Sequence, residues 1–202
     1  MYNINQEIRK KPYLFIKRAL EIFKSINGNV IVEIGSMRQP CEHELDIYSK
    51  PCCNDGHSSL LLARATKEFH TIDINMNNSK NTQQQLKKFD LNKQSSVYNG
   101  DGISFLQQFN GMIDLLFLDA WDIETPNHAE NHLTAFKCAE SKLNERNIVL
   151  IDDTDINFTP EKGFHNDEES LGGKGALLIP YLLSSGYQLQ FKGRQTCLTK
   201  NI

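Results

Sequence analysis

Leu115-Leu116-Phe117-Leu118-Asp119 and Ile148-Val149-Leu150-Ile151-Asp152-Asp153 are two apolar runs that each stop abruptly in carboxylate. Short continuous runs of this kind read as strands buried on both faces, which is the habit of a parallel sheet with helices packed on either side. In such sheets ligands bind outside the carboxyl ends of the strands, so acids placed there sit at the functional edge. Oxygen-only side chains gathered at one edge suit a hard cation such as Mg²⁺. The remainder of the chain is read outward from this pair.

Upstream, Val30-Ile31-Val32-Glu33-Ile34-Gly35 is a β-branched run stopped by glycine, and Phe69 to Asp73 and Ser96 to Val97-Tyr98 follow as second and third strands. Between them the pattern predicts helices from about residue 55 to 64 and from Ser79 to Lys93. Further helices are expected over 103–109, 128–143 and 176–185, with two final strands over 187–191 and 196–199. Strands alternating with helices predict an α/β fold: a Rossmann-like, doubly wound, mostly parallel seven-stranded sheet with an antiparallel C-terminal end.

The chain has 202 residues, 39% hydrophobic and 23% charged, enough for one sizeable core, and it reads as a single domain over residues 1–202. An amphipathic N-terminal helix within residues 1–28 either covers the sheet or pairs with a second subunit in a homodimer. A formal net charge of −3 and a pI near 6.1 disfavour nucleic acid as partner. No apolar stretch is long enough to span a membrane, and the polar start carries no secretory pattern, so a cytoplasmic protein is expected. Five cysteines, Cys41, Cys52, Cys53, Cys138 and Cys197, are read as free thiols; zinc held by Cys41, Cys52 and Cys53 with His43 or His57 matches no common spacing.

Several positions invite a binding role. Gly35 ends the first strand, and Gly56 opens the following helix, where backbone can approach an anionic ligand. Asp73, closing the second strand, is placed to accept hydrogen bonds from the two hydroxyls of a ribose, or to serve as a turn acid. Asp101, between Gly100 and Gly102, either meets an adenine amino group or caps the next helix. Trp121 either stacks on a ligand or packs. Lys174 lies among Gly172, Gly173 and Gly175, but the spacing is not that of a phosphate loop.

Taken together, V-E-I-G, the I-D of the second strand, G-D-G, F-L-D-A-W-D and L-I-D-D-T resemble the class I S-adenosylmethionine-dependent methyltransferases over roughly residues 30–155. More narrowly they resemble the metal-dependent O-methyltransferases of the catechol, caffeoyl-coenzyme A and macrocin types. The resemblance implies that Glu33 and Gly35 lie along the methionine part of S-adenosylmethionine, that Asp73 holds the ribose and that Asp101 meets the adenine. It further implies that Asp119 and Trp121 border the cofactor, and that Asp119, Asp152 and Asp153 bind Mg²⁺ or another divalent cation. A metal so held would chelate the acceptor oxygen and lower its pKa.

Two departures accompany the likeness. Where the catechol and caffeoyl types carry a basic lysine three residues after the first acid, this chain has Asp122. The base is then sought in Asp122 itself or in His128, His132 or His165. Residues 36–55 form an insertion, read as a lid or as a surface excursion, and 154–173 is read as an active-site loop flanking the metal. The expected activity is O-methylation of a small hydroxylated acceptor, such as a sugar or natural-product hydroxyl, with nitrogen acceptors also open. The alternative is a domain that binds S-adenosylmethionine as a sensor or assembly subunit without transferring methyl.

Overall fold

The computed structural model describes residues 12–41, 57–166 and 172–202. Seven strands form one sheet in the order β3-β2-β1-β4-β5-β9-β8. They are β1 Val30–Ile34, β2 Glu68–Asp73, β3 Ser95–Asn99, β4 Ile113–Leu118, β5 Leu143–Ile151, β8 Gln188–Phe191 and β9 Thr196–Lys200. The first five run parallel, and β9 lies antiparallel to both β5 and β8. This is the expected seven-stranded sheet with its antiparallel end.

The helices are α1 Pro12–Ser25, α2 Ser58–Ala65, α3 Met76–Lys88, α4 Gly102–Gln108, α5 His128–Ala139 and α6 Leu178–Ser184. Alternation along the strands divides the core by face. Ile31, Leu115, Phe117, Ile148 and Leu150 pack with Phe15, Phe23 and Leu62. Val32, Ile34, Leu116, Leu118, Val149 and Ile151 pack with Leu106, Phe136 and Leu182 on the opposite face. Burial on both faces explains why these strands read as continuous apolar runs.

Of the two roles open to the N-terminal helix, α1 takes the covering one, since Phe15, Ile16, Ala19 and Phe23 are buried within the chain's own core. Helix α3 starts three residues earlier than the apolar pattern suggested, because the Asn75 side chain accepts the Asn77 amide and caps it. The segment 154–173, expected as a loop, contains an antiparallel hairpin, β6 Ile156–Thr159 with β7 Gly163–Asn166. Its strands are four residues each, and their exposed Phe158 and Phe164 rings pack on one another at 5.2 Å. Of the insertion, residues 36–41 are anchored at both ends: Met37 and Cys41 are buried while 38–40 are exposed, with Thr82 donating to the Met37 carbonyl and Lys88 to that of Cys41. The lid reading of 42–55, Gly56, and the zinc reading through Cys52 and Cys53 fall outside the described residues. Among those described, Cys138 and Cys197 are free thiols, and no helix is long and apolar enough to cross a membrane.

At the amino edge of the sheet Asp114 acts as a clamp. Its Oδ2 accepts the amides of Asn29 and Val30 at 2.8 and 2.9 Å, and its Oδ1 accepts from the Asn144 side chain at 2.5 Å. Asp114→Ala strands two backbone donors at once and is expected to cost about 2–3 kcal/mol in urea unfolding. An unchanged midpoint would show that the clamp carries no net stability.

Candidate active site

The carboxyl ends of the strands open into a cleft of about 590 Å³, a size suited to a nucleoside-bearing small molecule. It lies where the strand order reverses between β1 and β4, the switch point of a doubly wound sheet. Gly35, Asp73, Asp101, Gly102 and Trp121 line one part of it; Asp119, Asp122, Asp152, Asp153, Arg38 and Arg194 line the other.

Gly35 has φ +97°, and a Cβ there would stand 2.3 Å from the Asp119 carbonyl oxygen. Only glycine lets the ends of β1 and β4 come this close. Gly102 is similarly constrained, its added Cβ falling 2.4 Å from the Ile34 side chain. Asp73 faces the cleft with both oxygens engaged: Oδ2 accepts the Ser36 amide at 3.0 Å and Asn78 at 3.2 Å, and Oδ1 accepts the Asn75 amide at 2.8 Å. The Ser36 hydroxyl also donates to Oδ2 at 3.3 Å, so the crowded oxygen is Oδ2, and Oδ1, with one donor, keeps a lone pair for a ligand hydroxyl. Asp101 lines the cleft and also caps α4, accepting the Ser104 amide at 2.7 Å.

Glu33 departs from its expected place beside the cofactor. It is not among the residues lining the cleft; it is fully buried on the α2 face, where Ser58, Ser59 and Thr71 donate to it at 2.5, 2.6 and 2.7 Å. Odd positions of β1 face α2, so Glu33 ties that helix to the sheet. Burial outweighs the three hydroxyl donors and pushes its carboxyl up to about 8.

The three acids at the ends of β4 and β5 do converge. Leu118 pairs with Ile151, so Asp119 and Asp152 emerge side by side, and one oxygen each from Asp119, Asp152 and Asp153 lie within 4.8 Å of one another. A cation already stands among them, and it is Lys174. Its Nζ, with no solvent exposure, lies 2.8 Å from Asp119 Oδ1, 3.2 Å from Asp153 Oδ2 and 3.9 Å from Asp122 Oδ1. Burial alone would lower its pKa, but Asp119, Asp153 and Asp152 outweigh this and hold it above its ordinary value. Arg194 Nε adds a contact to Asp153 Oδ1 at 3.3 Å, and Gln195 donates to Asp152 Oδ1 at 2.8 Å. Asp152 is nevertheless pushed up to about 6 by burial and by Asp119.

The lysine is placed by backbone. In the 3₁₀ turn Gly173–Gly175, Gly173 has φ +56°, and a Cβ there would meet the Asp153 carbonyl oxygen at 2.0 Å. The Lys174 amide donates to that same carbonyl at 3.3 Å, while Asn157 accepts the Gly173 amide at 2.8 Å. Sequence reading noticed these glycines only as a failed phosphate loop. Their density did carry a signal: a segment that must lie flat against another backbone.

The candidate bases separate on the same grounds. Asp122 is paired with Arg38 at 2.7 Å; although burial raises its pKa, Arg38 and Lys174 lower it further, which makes it a poor proton acceptor. His128 opens α5, with Nδ1 3.2 Å from the Thr125 carbonyl, and is not among the cleft-lining residues. His132 is buried behind Trp121, ring centroids 5.2 Å apart, and is pushed down to about 3 by burial and by Lys174. His165 sits on the β6–β7 hairpin and likewise does not line the cleft. Trp121 at φ +48° and Asp153 at φ +47° hold left-handed backbone just past β4 and β5, an accumulation of strain typical of functional edges.

The residues of the cleft suit one of the two expected groups and not the other. The cleft, its glycines and Asp73 fit a nucleoside cofactor. A divalent ion does not fit beside Lys174: magnesium needs oxygens at about 2.1 Å, and an ion shared by Asp119 Oδ1 and Asp153 Oδ2 would stand against the ammonium that both already contact.

No protein-family model and no curated protein matches the sequence. Solved structures match the fold. An O-methyltransferase from Bacillus cereus in complex with SAH has 14% identity and a TM-score of 0.62, covering 93% of this chain and 81% of its own. TomG, the O-methyltransferase from Streptomyces achromogenes involved in tomaymycin synthesis, in complex with SAM, has 15% identity and a TM-score of 0.55 over 92% and 89%. Magnesium protoporphyrin IX methyltransferase from Synechocystis, with bound SAM, has 14% identity and a TM-score of 0.55 over 93% and 79%. The fold is the one these methyltransferases share.

Glu33 supplies a pH test. A carboxyl at about 8 in the folded chain and 4.5 in the unfolded one keeps a proton on folding, so its contribution is complete below pH 4.5 and is lost as pH rises to about 8. Glu33→Gln should flatten the fall in unfolding free energy across that window by up to about 5 kcal/mol. An identical pH slope in the variant would refute the burial argument.

Proposed function

We propose that the chain is an S-adenosylmethionine-dependent methyltransferase acting on a hydroxyl of a small acceptor. The observation that carries this reading is one cleft at the switch point, with Gly35, Asp73 and Asp101 along one part and a charged cluster around Asp119 along the other. When bound, S-adenosylmethionine supplies an electrophilic methyl group. Gly35 and Gly102 keep the floor low, Asp73 accepts from the ribose hydroxyls, and Trp121 offers an aromatic wall.

At the other end Asp119 and Asp153, each about one-fifth exposed, present carboxylate to an acceptor hydroxyl and can receive its hydrogen bond. As the oxygen gains methyl, its proton passes toward Asp153, whose carboxyl is raised by burial and by Asp152. Holding the hydroxyl in line with the methyl group supplies most of what such a displacement requires. Hydroxyl methylation is favoured over other acceptors because similar folds include named O-methyltransferases. The net charge of −3 and the acids at the acceptor end favour a small molecule over nucleic acid.

The test is calorimetric titration of S-adenosylmethionine and S-adenosylhomocysteine into the wild type and Asp73→Asn. Both ligands should bind the wild type in the micromolar range, and Asp73→Asn should weaken them by about tenfold or more, the weight of a hydrogen bond to a charged acceptor. Failure of the wild type to bind either ligand would overturn the reading. Unchanged affinity in Asp73→Asn would remove Asp73 from the ribose.

A further inference from the structure

We propose that the Lys174 ammonium is the resident cation of the Asp119, Asp152 and Asp153 cluster, filling the place that the sequence resemblance assigns to a divalent metal. The inference deepens the methyltransferase reading and rests on it for the meaning of the cluster. Its geometry stands independently.

Three observations converge. Nζ touches Asp119 and Asp153 at 2.8 and 3.2 Å and is wholly shielded from solvent. Shielding matters because a buried ammonium is retained only where carboxylates compensate it, and here they are the same carboxylates a metal would need. The lysine's backbone is also fixed beside the acids: Gly173 lies against the Asp153 carbonyl, the Lys174 amide donates to that carbonyl and Asn157 holds the turn, so the side chain starts from a point set by main-chain contacts. Finally, the charges already come close to balance. Asp119, Asp122 and Asp153 meet Lys174, Arg38 and Arg194 through contacts of 2.7 to 3.9 Å, and Asp152, held by Gln195, brings the set to four negative groups against three positive. A divalent ion added to this set would turn a near-neutral cluster into a positive one.

Lys174 is then a positioning residue. It does not reach the acceptor; it fixes Asp119 and Asp153 with their free lone pairs toward the cleft, so that the acceptor meets carboxylates ordered without metal.

Mn²⁺ is the probe, read by electron paramagnetic resonance, with S-adenosylhomocysteine affinity measured on the same samples. The wild type should leave millimolar Mn²⁺ free, and its melting temperature should not differ between chelator and MgCl₂. Lys174→Met removes the ammonium while keeping its apolar stem, and should gain a Mn²⁺ site at least about tenfold tighter than any in the wild type; adding Asp152→Asn should abolish it. Stoichiometric Mn²⁺ binding by the wild type that Asp152→Asn removes would overturn the proposal, as would a folded Lys174→Met with no gain. If Lys174→Met does not fold, the wild-type titration and melting comparison decide alone. The metal readout needs no turnover, so it separates this proposal from the methyltransferase reading: absent cofactor affinity sinks the latter and leaves the former standing.

Discussion

Carboxylates crowded at the edge of a buried sheet repel one another and lose hydration, and the cost of several kcal/mol per uncompensated ion has to be offset by cations held at contact distance. That constraint organises one end of this molecule. Parallel pairing of β4 with β5 fixes Asp119 beside Asp152, and the sharp left-handed turn at Asp153 adds a third acid. Lys174, Arg194 and Arg38 come from three segments far apart in sequence, and each ends its side chain on one of these acids or on Asp122. The segments are tied together by charge as much as by packing.

Backbone contact sets the distances within which that charge balance operates. Gly35 lies against the carbonyl of Asp119, and Gly173 lies against that of Asp153. Two of the three clustered acids therefore have a glycine pressed on their own peptide group, and the site's spacing is set by main chain. Side chains built on such contacts vary little in position, which is the condition for orienting an acceptor.

Much of this was legible in advance, because buried parallel strands and their terminal acids leave a local signature: Asp73, Asp101, Asp119, Asp152 and Asp153 all occupy positions that strand ends alone predict. Glu33 misled because alternation was not carried through β1; counting faces from Ile31 would have put it under α2 with Ser58 and Ser59. Lys174 and Arg194 escaped for a different reason. Their partners lie 55 and 41 residues away, and no periodicity reports a contact of that range. The β6–β7 hairpin was hidden by its brevity, four residues per strand against a background of charge and glycine.

The turn between β8 and β9 carries Arg194 and Gln195, and so brings two partners of the acids from a segment about forty residues further along the chain. As the chain is synthesised, β1 to β5 can assemble before these residues emerge. Until then Asp152 and Asp153 lack their last partners, and the edge of β5 lacks β9. Docking of β9 thus closes the open flank of β5 and settles the charge of the cleft in one event. A chain interrupted before that point would carry a recognisable fold with an unquenched acidic edge, a form that differs from the folded chain in electrostatics and in strand exposure together.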